Sequence, residues 1–189
     1  MSARIYTKKG DDGTTGLLYG GRAPKSAPRI ETNGSVDEAQ AAIGVARAET
    51  KHGSELDIIL LGIERDLWVL MAEVATSPEN RGKLVAGSTL VTNEMVSRLE
   101  ALIDEATGRF EQPTEFVIPG QSRLSALLDQ ARAVVRRAER CYTTVAADGS
   151  FAGAYLNRLS DLLWVLARGA ESEHLTARGV AAPADAGRR

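Results

Sequence analysis

The sequence predicts an all-α protein, an up-and-down five-helix bundle preceded by a glycine-rich loop segment. Three observations support this fold class. Apolar residues recur every three or four positions in five separate stretches, which is the period of an amphipathic helix. Short connections join the stretches, and no segment alternates apolar and polar residues for long enough to build a sheet. The chain of 189 residues has the length of one domain, which we assign to residues 1–176.

The first 34 residues form the glycine-rich segment. Six glycines and two prolines fall there and helical periodicity is weak, so we expect a loop with extended pieces. The sequence Ser35-Val36-Asp37-Glu38 then has the S-x-x-E pattern of a capping box, in which the serine and glutamate side chains satisfy backbone N–H groups. A first helix is therefore predicted from about Val36 to about Glu49.

The second and third helices are predicted from their apolar spacing. Apolar residues repeat at helical intervals from Leu56 to Val74, and a polar connection follows at residues 78–83. Thr92 can cap a third helix that ends at Gly108, because threonine is favoured before a first turn and glycine after a last one.

The last two helices follow a short apolar loop, Phe116-Val117-Ile118-Pro119-Gly120. A fourth helix is predicted from a cap at Ser122 to about Val145, and a fifth from about Ala152 to about Glu171. The remaining residues, 177–189, are small and polar, and this tail is expected to be disordered.

The composition excludes several classes of protein. Lys and Arg number 23 and Asp and Glu number 25, so no overall field draws the chain to nucleic acid or to an anionic membrane. One cysteine cannot form an internal disulfide, and with two histidines it cannot form an ordinary Cys/His zinc site. No stretch resembles a membrane span or a signal peptide. We therefore expect a cytoplasmic protein that binds neither nucleic acid nor membrane.

One face of the fourth predicted helix carries charged side chains. At about 100° per residue, Arg132, Arg136, Glu139 and Arg140 fall on one side of the helix, away from its apolar residues. Arginine is permanently charged and its planar fork matches phosphate oxygens, so this stripe suits a triphosphate. The pattern alone leaves open the alternative of a solvated helix face with ordinary surface pairs.

Residues 7–16, Thr-Lys-Lys-Gly-Asp-Asp-Gly-Thr-Thr-Gly, contain the components of an anion-binding loop. Hydroxyls, lysines and flexible backbone N–H groups occur together there. The segment is neither a Walker A loop nor a G-x-G-x-x-G loop. Asp11 and Asp12 could hold Mg²⁺ through water beside bound phosphates. A turn-rich arm without a ligand is the open alternative.

Four other residues are ambiguous in the sequence alone. Asp37 and Glu38 stand at a predicted helix start, where the helix dipole by itself favours acidic residues. Asn157 lies among the leucines of the fifth predicted helix, where it could cap, pair or line a site. Phe116 lies in a loop, and a loop phenylalanine is more often a core residue than a functional one.

Taken in order, these segments resemble the PduO-type ATP:cob(I)alamin adenosyltransferases. The resemblance runs from about Arg4 to Arg168 and rests on five motifs: T-K-x-G-D-x-G-T-T-x-L, G-S-V-D-E, F-V-I-P-G, A-R-x-x-x-R-R-A-E-R and Y-L-N-R-L-S-D-L-L. It implies a homotrimer of five-helix bundles with active sites between adjacent subunits. The implied reaction transfers the 5′-deoxyadenosyl group of ATP to the cobalt of cob(I)alamin, giving adenosylcobalamin and triphosphate.

The resemblance also implies residues that bind ATP and its Mg²⁺. The N-terminal segment would wrap the triphosphate through Thr7, Lys8, Gly10, Asp11, Gly13, Thr14 and Thr15, with Lys25 nearby. The bundle would contact the nucleotide through Arg132, Arg136, Glu139 and Asn157.

Four of the implied residues act in catalysis. Arg136 is the best candidate to stabilise the leaving triphosphate, and Asp37 would pair with Arg132 across the subunit interface. Phe116 would lie beneath the corrin and displace the lower axial ligand, which makes cob(II)alamin easier to reduce to the nucleophilic cob(I)alamin. A flavin reductase and an adenosylcobalamin-dependent enzyme are the further partners that such chemistry suggests.

Some positions depart from the usual pattern of that family. Lys9 stands where Thr is common and adds positive charge near phosphate. Gln121 stands where a second Gly is common, and Asp129 where His is frequent; both lie near the expected corrin pocket and leave the corrinoid preference open. Arg137 and Arg140 are candidates for structural or interface roles rather than ligands.

Two other functional hypotheses remain beside the enzyme. One is a non-catalytic, nucleotide-gated cobalamin carrier or sensor of the same fold, and the other is a helical interaction scaffold with no nucleotide affinity. Four catalytic candidates occur together in the sequence, and this favours the enzyme.

Overall fold

A computed structural model describes residues 5–180. In this range the chain contains a small antiparallel sheet, one 3₁₀ helix at Pro78–Lys83 and five α-helices. The strands are β1 (Thr14–Gly16) and β2 (Arg22–Pro24), and the helices are α1 (Pro28–Arg47), α2 (Glu55–Val74), α3 (Asn93–Thr107), α4 (Arg123–Tyr142) and α5 (Ala152–Gly169). The predicted five-helix bundle is confirmed.

Helices that follow one another in the chain run in opposite directions, whereas α3 and α5, which also pack together, run in the same direction. Between α1 and α2, Gln40 Nε2 donates to the carbonyl oxygen of Glu64 at 3.0 Å and Arg47 Nε donates to Asp57 Oδ1 at 2.8 Å. Residue numbers therefore rise along one helix while they fall along the other. The same order of contacts joins α1 to α4 and α4 to α5.

This alternation gives the bundle two distinct ends. We call residues 5–27, the segment before α1, the arm. The arm end of the bundle holds the N-termini of α1, α3 and α5, and the arm attaches there through the backbone N–H of Leu18, which donates to the carbonyl of Ala75 at 2.9 Å. The loop end holds the N-termini of α2 and α4, and the connection from α3 to α4, which carries Phe116, lies there.

The core consists of the apolar stripes of all five helices. Its fully buried members include Val36, Ile43, Leu60, Leu67, Leu70, Leu99, Leu128, Val135, Leu156, Leu159 and Leu163. One polar group crosses it: Asp66 of α2 accepts hydrogen bonds from Arg98 of α3 and, at 3.0 Å, from the buried hydroxyl of Tyr155 of α5. These bonds satisfy a buried carboxylate that would otherwise oppose folding.

The start of the first helix was predicted wrongly. The helix begins at Pro28, so Ser35 and Asp37 lie inside it rather than at its first turn. Proline is favoured at a first helical position because the N–H of that residue would have no acceptor within the helix. Pro28 therefore starts the helix, whereas the S-x-x-E pattern had placed the start at Ser35. Ser35 is buried, and its hydroxyl accepts a hydrogen bond from Arg137 Nη1 of α4 at 3.4 Å.

The other helix boundaries lie close to those predicted. The Ser122 hydroxyl caps α4 by accepting from the backbone N–H of Ser125 at 3.0 Å. Thr92 precedes α3, although its side chain makes no capping hydrogen bond. The fourth and fifth helices end at Tyr142 and Gly169, slightly earlier than predicted.

The predicted disordered tail falls partly outside the described residues. Its first residues, 177–180, follow Thr176, which pairs with Val117 in an antiparallel bridge, and the N–H of Gly179 donates to the carbonyl of Thr176 at 3.0 Å. Residues 181–189 lie outside the described range. None of the helices in residues 5–180 has the length and apolar content needed to cross a membrane.

Candidate active site

The predicted phosphate-binding segment folds into a tight arm around Thr14. The Thr14 hydroxyl donates to Asp12 Oδ1 at 2.8 Å and accepts from Arg22 Nε and Nη2 at 2.9 and 2.6 Å. The Thr14 backbone N–H also donates to Asp12 Oδ1, at 2.9 Å. These bonds from Thr14 hold the pKa of the Asp12 carboxyl below its ordinary value. Asp12 is thus a fixed anion that shapes the turn.

Lys25 lies against the backbone of this arm. Its Nζ would stand 3.3 Å from a Cβ placed on Gly10, and its backbone N–H donates to the carbonyl of Gly13 at 2.9 Å. Gly13 has a φ of 81°, a left-handed conformation that glycine adopts without strain. The ammonium group of Lys25 therefore lies beside the loop backbone, as an anion-binding loop requires.

The remaining residues of the arm are open to solvent or to a neighbouring chain. Thr7, Lys8 and Asp11 are exposed, and Thr15 of β1 pairs with Ala23 of β2. Lys8 has a left-handed φ of 59°, unusual for a residue with a side chain. The lysines of the arm and the side chain of Thr7 are thus accessible, whereas the Thr14 hydroxyl is held within the arm.

The stripe on α4 contains side chains held to different degrees. Arg132 Nε donates to Asp129 Oδ1 at 3.1 Å, and Glu139 Oε1 accepts from Asn157 Nδ2 of α5 at 3.0 Å. Arg136 lies between them and is exposed, and within residues 5–180 its guanidinium forms no ion pair. Within the described residues, Arg136 therefore has no ion-pair partner, whereas the side chains of Arg132 and Glu139 are already oriented by their hydrogen-bond partners.

The neighbouring arginines of α4 contact their own chain. Arg137 pairs with Glu38 of α1, and Glu38 raises the pKa of that guanidinium. Arg140 Nη1 donates to the carbonyl of Arg136 at 3.0 Å. These contacts agree with structural roles for both. Asp37 is exposed and forms no ion pair within the described range.

Phe116 lies at the loop end with 77% of its surface exposed. It is therefore not a core residue in this chain. Its loop is fixed by the segment after α5: the Phe116 carbonyl accepts from the N–H of Ala177 at 2.8 Å, and the N–H of Ile118 donates to the carbonyl of Leu175 at 2.8 Å. The backbone is anchored while the aromatic ring is presented outward.

The structure brings the predicted residues into two groups rather than one. Gly10, Thr14 and Lys25 meet in the arm, and Arg132, Arg136, Glu139 and Asn157 line α4 and α5. Within residues 5–180, no hydrogen bond or ion pair joins the arm to α4. Within the described part of a single chain, the two groups of predicted site residues therefore make no polar contact with each other.

Sequence analysis missed the partners that hold these residues. Arg22 fixes Thr14, and Arg168, which is 1% exposed, donates to Asp129 Oδ2 at 2.5 Å. Arg168 Nη2 also donates to Glu171 Oε1 at 3.0 Å, and Glu171 Oε2 lies 3.0 Å from His174 Nδ1. An arginine on the apolar face of the last helix was the available signal, because buried arginines are rare without partners.

Metal ligation by the protein alone has no basis in the part of the chain that the structure describes. No cluster of three or more His, Cys, Asp or Glu side chains occurs there. Of the two arm aspartates, Asp12 is engaged with Thr14 and Asp11 is exposed. Asp11 is thus the one suited to a water-mediated contact with a metal that arrives on phosphates.

Comparison with known proteins identifies relatives along most of the chain. Its sequence is 40% identical to the corrinoid adenosyltransferase of Mycobacterium tuberculosis over 175 residues, covering 87% of both proteins. It is 36% identical to the corrinoid adenosyltransferase PduO of Salmonella typhimurium over 175 residues, which cover 89% of this chain. The match spans 50% of that longer relative.

The fold has relatives among solved structures. A variant of the PduO-type ATP:corrinoid adenosyltransferase from Lactobacillus reuteri, complexed with cobalamin and ATP, superposes with a TM-score of 0.83 at 26% identity, covering 93% of this chain and 99% of that one. A second variant of that protein, complexed with ATP, superposes with a TM-score of 0.77 at 27% identity over 87% of this chain and 92% of that one. The profile of the cobalamin adenosyltransferase family matches residues 5–170, and the chain belongs to that family.

Proposed function

We propose that this chain transfers the 5′-deoxyadenosyl group of ATP to the cobalt of cob(I)alamin. The observation that carries the proposal is membership of the cobalamin adenosyltransferase family over residues 5–170. Cobalt(I) supplies the electron pair for a new cobalt–carbon bond, and the bond from C5′ to the triphosphate oxygen breaks. Triphosphate leaves with the electron pair of the broken bond, and adenosylcobalamin is the other product.

The protein has little covalent chemistry to perform in such a transfer. The nucleophile needs no general base, so the residues must align C5′ with cobalt and stabilise negative charge on the leaving triphosphate. Lys25 and the backbone of the arm bind the phosphates, together with Lys8 and the threonines of that loop. Asp11 contacts, through water, the Mg²⁺ that accompanies ATP.

Arg136 stabilises the leaving group. Its side chain is exposed on α4, between Arg132 held by Asp129 and Glu139 held by Asn157. A guanidinium in this position can turn toward triphosphate oxygens without breaking an existing ion pair. The flanking residues bind the nucleotide in a fixed orientation, which reduces the entropy lost in reaching the transition state.

The site is completed between subunits of a homotrimer. Two observations support this arrangement: the arm makes no polar contact with α4 of its own chain within residues 5–180, and Asp37 is exposed on α1. The arm of one subunit meets α4 of the next, and Asp37 pairs with Arg132 across the interface. Each site then contains residues from two chains.

Phe116 prepares cobalt for reduction. Its exposed ring, on a loop anchored by backbone hydrogen bonds, can lie beneath the corrin and displace the lower axial ligand. Loss of that donor makes cob(II)alamin easier to reduce. A cytoplasmic setting with a flavin reductase that supplies the electron, and an adenosylcobalamin-dependent enzyme that receives the product, fits this reaction.

The proposal is tested anaerobically with purified protein, chemically reduced cob(I)alamin and MgATP. We expect loss of the cob(I)alamin spectrum to match, mole for mole, the formation of adenosylcobalamin and the release of triphosphate. Binding of both ligands without product would instead identify a carrier or sensor. Binding of neither ligand would contradict every part of the proposal.

A further inference from the structure

The segment after α5 clasps the loop that carries Phe116. We call residues 171–177 the strap and residues 114–120 the Phe116 loop. Val117 and Thr176 pair in an antiparallel bridge, and two backbone hydrogen bonds of 2.8 Å, Ala177 N–H to Phe116 and Ile118 N–H to Leu175, flank it. The carbonyl of Phe116 itself is one acceptor. The strap thus holds the backbone from which the Phe116 ring projects.

Buried charges anchor the strap to the bundle. Arg168 Nη2 donates to Asp129 Oδ2 at 2.5 Å and to Glu171 Oε1 at 3.0 Å, and the Glu171 side chain is completely buried. Glu171 Oε2 lies 3.0 Å from Nδ1 of His174, the residue before Leu175. The His174 ring also packs edge-on against Phe110, with ring centroids 5.8 Å apart. A continuous chain of contacts leads from the buried interior at the loop end of the bundle to the Phe116 loop.

Stability alone is a weak explanation for this arrangement. Burying ion pairs costs desolvation energy that apolar side chains of similar size would avoid, so such groups often specify a geometry instead. The same Asp129 carboxylate that holds Arg168 also accepts from Arg132 Nε at 3.1 Å. One buried carboxylate therefore contacts an arginine on the nucleotide side and the arginine that anchors the strap.

We infer that Asp129, Glu171 and the backbone of Ala177 are positioning residues for Phe116. The chain Asp129–Arg168–Glu171–His174 fixes the strap, and the strap fixes the Phe116 loop so that the ring meets the corrin at the height needed to displace the lower ligand. None of these groups touches a reacting atom. The inference rests on the proposed function, since a ring position matters only if a corrin binds beside it.

The sharpest test removes one hydrogen bond of the clasp. Ala177→Pro deletes the N–H that donates to the Phe116 carbonyl, and proline favours an extended conformation at the preceding Thr176, which is already in a bridge. Ala177→Ser is the matched control, because it changes the side chain at the same position and keeps the N–H. Phe116→Ala gives the effect of losing the ring altogether.

The readout is the coordination of cobalt rather than activity alone. With cob(II)alamin and MgATP bound, electron paramagnetic resonance measures the fraction of cobalt without a lower axial ligand. We expect Ala177→Pro to lower that fraction about 2- to 10-fold, the range given by loss of one hydrogen bond, and to slow reaction from cob(II)alamin equally. Reaction from pre-reduced cob(I)alamin and the KM for ATP should stay within about twofold of wild type. Ala177→Ser should match wild type.

The inference would be overturned if Ala177→Pro had the same fraction of cobalt without a lower axial ligand as wild type. It would also be overturned if Ala177→Ser lowered that fraction as much as Ala177→Pro does. Glu171→Gln tests the ionic part: it keeps the shape of the side chain and removes the charge that meets Arg168 and His174. We expect a loss in the same direction, and wild-type behaviour would overturn the role of the buried charges. Wild-type protein that makes no adenosylcobalamin would contradict the proposed function itself, a different result from failure of the clasp.

Discussion

At the scale of single residues, the α4 stripe separates side chains that are held from one that is free to move. Asp129 holds Arg132, and Asn157 holds Glu139. Because both side chains are already ordered in the free protein, little side-chain entropy is lost when a ligand binds to them. Arg136 is exposed and is not engaged in an ion pair within residues 5–180. Charge that develops on a leaving triphosphate is stabilised best by a donor that has no competing partner.

Arg136→Ala should therefore reduce the turnover of cob(I)alamin and MgATP by about 10²-fold or more, the effect typical of losing one donor that stabilises transition-state charge. Arg65→Ala, which removes an exposed arginine from α2, is the control and should change turnover by less than about twofold. Initial rates of triphosphate release measure both. Turnover of Arg136→Ala near that of the control would remove this residue from the reaction.

At the scale of elements, the arm depends on a close approach of Lys25 to the loop backbone. A Cβ on Gly10 would lie 3.2 Å from the carbonyl oxygen of Thr14 and 3.3 Å from Lys25 Nζ, whereas a Cβ on Gly16 would meet nothing within 4 Å. Neither glycine has a positive φ, so the two positions differ in space and not in backbone strain. They form a matched pair for mutation.

Gly10→Ala should displace the Lys25 ammonium group and raise the KM for ATP about 3- to 10-fold, as expected for a weakened charge-assisted contact. Gly16→Ala should leave KM unchanged, and both variants should keep the kcat of wild type within about twofold. Steady-state kinetics with varied ATP distinguish them. An unchanged KM for ATP in Gly10→Ala would show that the phosphates of ATP do not bind beside Lys25.

The hydrogen-bonded group between α2, α3 and α5 makes stability depend on alkaline pH. Burial, followed by the charge of Asp66, raises the pKa of the Tyr155 hydroxyl well above its ordinary value of 10.0. The folded chain thus keeps a proton that the unfolded chain releases as the pH rises past about 10. The contribution of Tyr155 is fully present below that pH and is lost above it.

Tyr155→Phe should lower the free energy of unfolding by about 1–2 kcal/mol at pH 8, because it removes the hydrogen bond to Asp66. Above pH 10 the difference from wild type should shrink by about 1.4 kcal/mol per pH unit. Urea unfolding from pH 8 to pH 11 measures this, with the exposed Tyr6→Phe as control. A difference that stays constant with pH would contradict the raised pKa.

The same elements indicate how far sequence reasoning reaches. The bundle follows from apolar spacing, and the Ser122 cap from a serine placed directly before the fourth apolar stretch, because both signals are local. The S-x-x-E pattern at Ser35 misled because a capping pattern can also occur inside a helix, where tertiary contacts satisfy the hydroxyl. No pattern in the sequence indicates the hydrogen bond from the N–H of Ile118 to the carbonyl of Leu175, because backbone hydrogen bonds between distant segments do not depend on side-chain type.

At the scale of the whole molecule, the proposed site requires more than one copy of the chain. The arm attaches to the bundle at the carbonyl of Ala75, Lys8 and Lys25 are exposed, and within residues 5–180 no hydrogen bond or ion pair joins the arm to α4. The proposed cyclic trimer would bring the arm of each subunit against the next, and every interface would then hold one site. Such a trimer would have about three times the 20.2 kDa mass of the chain.

Mixed trimers test this arrangement directly. A variant damaged in the arm, Lys8→Ala with Lys25→Ala, and a variant damaged on α4, Arg136→Ala, should each be nearly inactive alone. When they are co-expressed in equal amounts, about one site in four combines an intact arm from one chain with an intact α4 from its neighbour, so about a quarter of wild-type turnover should return. If each site formed within one chain, every site would carry one of the lesions. Turnover of the mixture would then stay at the level of the separate variants, and the inter-subunit site would be excluded.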